Sequence, residues 1–223
     1  MQIVSYDIET TRRNSFWDQI IQVGAVLTNE NLEEIDAYES SCLLKPGTIP
    51  EPGALMVNEQ IPGEGTQLSH YSFVKSMWET FNYWIKEYGP ITFVGYNSVN
   101  FDEEFLRNSL FQNLHNPYFT QMNGNKRADA LNIVRASSVF NPSCIKTLNV
   151  KKQFSLENLA EANNIDHSNA HDAMADVETT IDLCKIIKQK TPDFWSKSLE
   201  TTSKNDVANY IQDRDMLCHH EAY

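Results

Sequence analysis

The chain has 223 residues, of which 41% are hydrophobic and 11% aromatic, so its composition is that of a globular protein rather than a disordered one. The formal net charge of −12 argues against tight binding of nucleic-acid phosphates over a broad surface, but not against an acidic site at which cations reverse the local sign. No segment approaches the roughly 18 apolar residues of a membrane helix, and the four cysteines have no metal-binding spacing. Because residues 1–4 enter a predicted strand directly, without a basic segment, we expect no signal peptide. We therefore expect a cytoplasmic protein with reduced thiols and no membrane partner.

Three antiparallel strands are predicted at the start of the chain. Residues 2–9 alternate between apolar and polar side chains, and residues 19–28 read as a buried strand. Residues 33–44 return beside it after a turn at 29–31. The next segment, residues 45–65, is rich in proline and glycine and is predicted to form a loop.

Helices and strands alternate in the rest of the predicted fold. Apolar residues recur at steps of three and four, or follow helix-capping residues, in five segments. Three of these predicted helices cover residues 68–88, 100–113 and 170–188, and the other two begin after Asp129 and after Ser155. A short strand is predicted at residues 91–94, between the first two helices. The order predicts an α/β fold with a ribonuclease H-like mixed sheet, in which three antiparallel strands are followed by parallel strands and helices cover both faces.

Two carboxylates, Asp7 and Glu9, stand on the same face of the first predicted strand because side chains two residues apart point the same way. Adjacent carboxylates repel each other and are costly to hold on the inner part of a sheet. A divalent cation between them removes that cost, since hard cations bind carboxylate oxygens. The alternative is a half-exposed strand with acids on its solvent face.

A third acid, Asp102, lies just past the end of the strand at 91–94 and opens a predicted helix, which is a favoured place for a site in an α/β sheet. The alternative for Asp102 is a first-turn acid that complements the helix dipole. Glu103 and Glu104 beside it fit that alternative well.

A fourth acid, Asp176, lies about a turn and a half into the last strong helix and is flanked by alanines, so it can face the sheet. His171 precedes it at the start of that helix, whereas Asp172 is better explained as a helix cap. His167 is interpreted as structural or solvated. Together, Asp7, Glu9, Asp102 and Asp176 suit two divalent ions about 3.5–4 Å apart, the arrangement used for in-line phosphoryl displacement, with a neutral imidazole nearby to accept a proton.

These motifs resemble those of the DEDD exonuclease superfamily in its histidine-bearing branch, and in particular the nuclease domain of bacterial exonuclease I. Asp7-x-Glu9, Asp102, and His171 with Asp176 five residues on carry the resemblance, together with the surrounding residues 95–104 and 162–177. It covers about residues 2–195, so residues 1–195 are expected to form an exonuclease domain and residues 196–223 a polar tail with one short helix near 205–213.

The resemblance implies 3′-to-5′ release of nucleoside 5′-monophosphates from the 3′-end of single-stranded DNA, with two Mg²⁺ ions that Mn²⁺ can replace. It implies metal binding by Asp7, Glu9, Asp102 and Asp176, and a general base at His171. Exonuclease I carries two further domains after its nuclease domain, whereas this chain ends soon after the matching region. Trimming of short DNA or RNA oligonucleotides is therefore the alternative activity, and a non-catalytic module that binds a partner protein is a more distant one.

Substrate contacts are predicted at four positions, which are Leu55, Met56, Asn97 and Thr10. In this family's manner, Leu55 or Met56 would wedge between terminal bases, and the alternative is an apolar residue that anchors the loop. Other candidates are aromatic residues that would stack on bases, for which core packing is the alternative role. Basic residues that would bind phosphates are also candidates, and the alternative for them is a solvated surface charge. These candidates are Phe16, Trp17, Tyr96, Tyr118, Arg12, Arg13, Lys126 and Arg127.

Overall fold

A five-stranded mixed sheet forms the centre of the molecule. The computed structural model describes residues 1–58, 62–167, 171–200, 202 and 204–213. The strands are β1 (Gln2–Thr10), β2 (Ile20–Thr28), β3 (Glu34–Ser41), β4 (Ile91–Gly95) and β5 (Lys126–Asp129). They lie in the order β3-β2-β1-β4-β5.

The sheet changes from antiparallel to parallel at β1. β1 pairs antiparallel with β2 and β2 with β3, whereas β4 lies parallel to β1 and β5 parallel to β4. The predicted arrangement of three antiparallel strands followed by parallel strands is therefore confirmed. Because parallel strands end at the same edge, the residues after β4 meet the carboxyl end of β1, where Asp7 and Glu9 lie.

Helices cover both faces of the sheet, as predicted. They are α1 (Pro52–Asn58), α2 (His70–Tyr88), α3 (Asp102–Gln112), α4 (Ala130–Phe140), α5 (Leu156–Asn163), α6 (Ala173–Lys190), α7 (Pro192–Ser198) and α8 (Lys204–Gln212). On one face, apolar residues of α2 and α3 pack against Val4, Tyr6 and Ile8. On the other, residues of α4 to α7 pack against Ile3 and Val94. Because successive side chains of β1 point to opposite faces of the sheet, β1 contributes to a separate hydrophobic core on each face.

Three elements depart from the sequence-based expectation. α1 lies within residues 45–65, which were predicted to be loop. Pro52 is tolerated in the first turn of a helix, and Ala54, Leu55 and Met56 are good helix formers. β5 lacks the apolar run of a predicted strand, and its pairing with β4 supplies the order that its sequence does not signal. α7 follows α6 directly, with Pro192 in its first turn.

The ends of the predicted helices shift slightly. α6 begins at Ala173 rather than at residue 170, and residues 168–170 lie outside the described residues. α8 covers most of the short helix expected at 205–213, while residues 214–223 also lie outside the described part. Among the helices in the described ranges, none has the length and apolar character needed to cross a membrane.

Candidate active site

Three carboxylates from two distant parts of the chain meet at the carboxyl end of β1. Asp7 and Glu9 come from the strand, and Asp176 comes from the first turn of α6. One carboxylate oxygen from each lies within 4.8 Å of the others. This spacing allows one cation to contact all three side chains.

A glycine lets α6 approach the sheet closely enough to deliver Asp176. Gly24 on β2 lies opposite Asp7 in the register, and a Cβ added to it would stand 2.6 Å from the backbone of Ala173. Only a residue without a side chain fits this contact. Asp172 caps the helix by accepting the backbone N–H groups of residues 174 and 175, both at 3.1 Å, which confirms the capping interpretation. The Nε2 of Gln22 also donates to Asp172, at 2.9 Å, and ties that cap to β2.

Asp102, the fourth predicted acid, is not among the three side chains whose oxygens lie within 4.8 Å of one another, but it contacts β1 beside them. It is the first residue of α3 and only 3% exposed, and the backbone N–H of Ile8 donates to its Oδ1 at 3.2 Å. After burial, the charge of Asp102 is the largest cause of the raised pKa of Asp7, ahead of Glu9. Asp102 therefore acts on the other acids electrostatically, and its bond to β1 fixes where it stands.

The turn that leads to Asp102 is held by a buried carboxylate on β5. Asp129 accepts the backbone N–H groups of Asn97 at 3.0 Å and of Val99 at 3.2 Å. It also accepts the N–H of Leu131 at 3.0 Å, so the helix cap predicted from its sequence position is confirmed. Asp129 also fixes the turn at residues 97–99. Because these hydrogen bonds join residues about 30 positions apart, no local sequence pattern predicts them.

Burial raises the pKa of all four site carboxyls, and it is the largest cause for each. The pKa of Glu9 rises from 4.5 to about 8, and that of Asp102 from 3.8 to about 7. The pKa of Asp7 is raised by burial and then by the charges of neighbouring acids. The pKa of Asp176 is raised by burial, although His167 and His171 act in the opposite direction. Such groups are poorly compatible with simultaneous ionisation at neutral pH unless a cation is present.

The donor set fits a hard divalent cation. All the donors are carboxylate oxygens, and within the described residues no lysine or arginine forms an ion pair with any of the four acids. No permanently charged side chain among the described residues therefore pairs with these acids, and the imidazole of His167, 3.4 Å from Asp176, is a basic group in contact with them. Mg²⁺ and Mn²⁺ prefer this ligand type.

The two histidines near α6 take different positions. His167, which was interpreted as structural or solvated, has a side chain that is only 7% exposed, and its Nε2 lies 3.4 Å from Oδ1 of Asp176. Its Nδ1 lies 2.8 Å from the hydroxyl of Thr179. His171, the predicted base, donates its backbone N–H to Asp176 at 3.3 Å, but its ring Nε2 contacts Glu157 at 2.9 Å. The structure thus places the backbone of His171, rather than its ring, beside the acids.

The four predicted substrate contacts lie in different surroundings. Thr10 is buried and its hydroxyl donates to the carbonyl of Arg12 at 2.6 Å, whereas Asn97 is exposed in a left-handed conformation with φ 61°. In α1, Leu55 is half-buried and Met56 is 80% exposed. Met56 is therefore free to meet a ligand, and Thr10 fixes the start of the loop after β1.

Two basic residues suggested for phosphate binding are used within the fold instead. Lys126 pairs with Asp206 at 2.8 Å. Arg127 pairs at 2.7 Å with Glu103, which is only 5% exposed and also accepts the hydroxyl of Tyr6 at 2.7 Å. Sequence reasoning missed this role of Glu103, because an acid in the first turn of a helix is equally well explained as solvated. Its contacts with Tyr6 on β1 and Arg127 on β5 hold the start of α3, where Asp102 is the preceding residue.

Comparison with known proteins shows the family. The model of the RNase T family, described as exonucleases, matches residues 4–184. The chain belongs to this exonuclease family. Exodeoxyribonuclease I of Buchnera aphidicola subsp. Acyrthosiphon pisum is 31% identical to it over 217 residues, which are 94% of this chain and 51% of that protein.

Solved structures of exonuclease I share the fold. E. coli exonuclease I in complex with a dT13 oligonucleotide aligns with a TM-score of 0.86 at 28% identity, over 93% of this chain and 45% of that one. The zinc-bound form of the E. coli exonuclease I complex with single-stranded DNA aligns with a TM-score of 0.81 at 30% identity, over 88% and 42%. These likenesses confirm the predicted fold class. The chain spans about half the length of the relatives it matches.

Proposed function

We propose that the chain is a metal-dependent 3′-to-5′ exonuclease that releases nucleoside 5′-monophosphates from single-stranded DNA. The observation that carries this proposal is the convergence of Asp7, Glu9 and Asp176, whose carboxylate oxygens lie within 4.8 Å of one another. Membership of the exonuclease family supports it, as does the likeness to exonuclease I bound to a dT13 oligonucleotide.

Two Mg²⁺ ions are the proposed cofactors, and Mn²⁺ is expected to replace them. Asp7, Glu9, Asp102 and Asp176 would hold them, because these acids have oxygen donors and no lysine or arginine partner in the described part of the chain. When bound, the ions supply Lewis-acid polarisation of the phosphodiester that is cleaved. Without them, four neighbouring carboxylates repel a phosphate.

We assign acceptance of the proton from the attacking water to the imidazole of His171. Its ring is 37% exposed, and its partner Glu157 is more exposed still, so exchange of that contact for water costs little. The bond from its backbone N–H to Asp176 keeps the residue beside the acids. Removal of a general base typically lowers a rate by about 10²- to 10⁴-fold.

Substrate contacts are proposed for Thr10, Leu55, Met56 and Asn97. Met56 offers an exposed apolar side chain that suits a wedge between terminal bases, and Leu55 beside it is half-buried in the same helix. The side chain of Asn97 is exposed next to the turn that presents Asp102. Thr10 follows Glu9 directly and holds the backbone at the point where a terminal nucleotide would enter.

Digestion of single strands that carry a label at either end tests the proposal. With Mg²⁺, the 3′-label should appear at once as a mononucleotide, while the 5′-labelled strand shortens progressively. EDTA and the Asp7→Asn variant should abolish release, and His171→Ala should lower kcat by about 10²- to 10⁴-fold. Glu87→Gln, which changes an exposed acid of α2, is the matched control and should retain full activity.

Several outcomes would contradict the proposal. Release of the 5′-label first, or activity that survives both EDTA and Asp7→Asn, would remove the metal-dependent 3′-to-5′ assignment. Absence of turnover with every metal would favour a non-catalytic module. Parallel digestions of DNA and RNA strands of about 5 and 30 nucleotides would identify the preferred substrate.

A further inference from the structure

Residues 11–18, in the loop between β1 and β2, have a fixed conformation on the surface of α3. Asp18 and Asn14 exchange two hydrogen bonds at 2.8 Å each, one from the backbone N–H of Asp18 and one to its carboxylate. From α3, the Nδ2 of Asn108 donates to the hydroxyl of Ser15 at 2.9 Å, and the Nε2 of Gln112 donates to the carbonyl of residue 16 at 3.1 Å. The loop is therefore anchored at both its backbone and its side chains.

This anchored loop holds two aromatic rings in water. Phe16 is 68% exposed and Trp17 is 82% exposed. Large apolar side chains that a folded loop keeps exposed next to one another are typical of an interaction site. Because the loop is already ordered, a ligand that stacks on these rings does not have to order them first.

A cavity of about 330 Å³ lies between the loop and α3. Its wall combines aromatic rings with polar and charged groups, and it is lined by Phe16, Glu104, Arg107, Asn108, Phe111, Pro117 and Tyr118. Arg107 contacts Glu104 at 3.6 Å, but both side chains are largely exposed, so this ion pair is weak and leaves the guanidinium available. Flat apolar walls beside a guanidinium match a nucleobase and its phosphate.

Two more cations precede the aromatic rings. Arg12 and Arg13 are exposed, and neither has a carboxylate within 4.0 Å among the described residues. In a chain with a net charge of −12, two unpaired arginines beside two exposed rings form a local surface suited to an anion that also carries aromatic groups. Single-stranded nucleic acid has both features, since its phosphates alternate with bases.

The loop and the cavity adjoin the acid site along the chain. The loop begins two residues after Glu9, and Glu104 in the cavity wall lies two residues after Asp102. Asn108, which holds the loop, lies on α3 six residues after Asp102, about 9 Å along the helix axis, so a strand whose 3′-end reaches the acids can place its next nucleotides on this surface. An acidic peptide would satisfy the arginines but would leave the adjacent rings without stacked partners.

We infer that the loop at 11–18 and the cavity beside α3 bind the nucleotides that precede the terminal one, with bases stacked on Phe16 and Trp17 and phosphates held by Arg12 and Arg13. This inference rests on the proposed function, and it identifies where the exonuclease would bind the nucleotides next to the one that it removes. Stacking of one base on one ring typically contributes about 5- to 150-fold in affinity, so the effect should be large enough to measure.

Binding of a 20-nucleotide strand to the Asp7→Asn protein tests the inference without hydrolysis. The strand should quench the fluorescence of exposed Trp17, and the Phe16→Ala/Trp17→Ala variant, which loses two rings, should bind it at least about 25-fold more weakly by anisotropy. Tyr83→Ala, which removes an exposed ring of α2 that does not line the cavity, is the matched control and should bind normally. The Arg12→Gln/Arg13→Gln variant should reduce the slope of log affinity against log salt by about 1.4.

Hydrolysis separates this subsite from the catalytic centre. The p-nitrophenyl ester of thymidine 5′-monophosphate has no preceding nucleotide, so the Phe16→Ala/Trp17→Ala variant should cleave it normally while its KM for the 20-nucleotide strand rises. If the unchanged chain cleaves neither substrate, the proposed function fails. The effect of the Phe16→Ala/Trp17→Ala substitutions on strand binding would still show whether the loop binds nucleotides. Equal strand affinity of this variant and Tyr83→Ala, or no binding by the unchanged chain, would overturn the inference.

Discussion

Replacement of Glu9 by glutamine should stabilise the metal-free protein at neutral and alkaline pH. Burial, followed by the charges of Asp176 and Asp102, raises the pKa of Glu9 from 4.5 to about 8. Between these two values the folded chain holds a proton that the unfolded chain has lost. The free energy of unfolding therefore falls as the pH rises from about 4.5 to about 8, with the contribution intact below that range and lost above it.

The pKa difference sets the size of this effect. A change from 4.5 to about 8 corresponds to a ceiling of about 5 kcal/mol, at ~1.4 kcal/mol for each tenfold change in proton affinity. Glutamine removes the charge of Glu9 but leaves those of Asp102 and Asp176, and its amide still needs hydrogen-bond partners. We therefore expect Glu9→Gln to raise the free energy of unfolding at pH 8 by about 2–3 kcal/mol.

Urea unfolding in EDTA at pH values from 5 to 8.5 measures the effect, with Glu87→Gln as the matched control at an exposed acid. Addition of Mn²⁺ should stabilise the unchanged chain, by about 2.7 kcal/mol at 100 times the dissociation constant, and should stabilise Glu9→Gln less. The reasoning is refuted if the two variants are equally stable at pH 8 in EDTA and the unchanged chain shows no loss of stability between pH 5 and pH 8.

Two further substitutions test how the site is positioned. Gly24→Ala should lower the free energy of unfolding by about 1–3 kcal/mol and weaken Mn²⁺ binding, because its methyl group would meet the backbone of Ala173. Gly53→Ala, whose methyl group meets nothing within 4 Å, should change stability by less than about 1 kcal/mol in the stabilising direction, and equal losses by urea unfolding would contradict the proposed contact. Glu103→Ala should cost about 1–3 kcal/mol because it leaves the buried hydroxyl of Tyr6 without its acceptor and removes the ion pair with the partly buried Arg127, whereas Glu104→Ala at an exposed position should cost under about 0.5 kcal/mol. Similar urea midpoints for these two variants would show that the buried network contributes little.

Local patterns were sufficient to predict much of the fold. Alternation along β1 separates apolar side chains for one core from Asp7 and Glu9 on the other face, and this period-two pattern depends only on strand geometry. Helix caps at Asp129 and Asp172 were predicted because an acid that accepts nearby N–H groups needs no distant partner.

Features that depend on distant contacts were not predictable. β5 becomes a strand through its partner β4, and its own sequence, with Lys126 and Arg127, carries no apolar run. Glu103 resembles Glu104 in sequence, yet the hydroxyl of Tyr6, 97 residues away, donates to one and not the other. The ring orientation of His171 likewise depends on a contact with α5, which no local pattern encodes.

Anomalous diffraction from crystals grown with Mn²⁺ tests the central claim most directly, because it locates the ions independently of activity. We expect two peaks about 3.5–4 Å apart at the carboxyl end of β1, with carboxylate oxygens of Asp7, Glu9 and Asp176 around them. The Asp176→Asn variant should lose at least one peak. A map with no peak among these acids at saturating Mn²⁺, or with peaks only elsewhere on the surface, would contradict the assignment of a shared metal site.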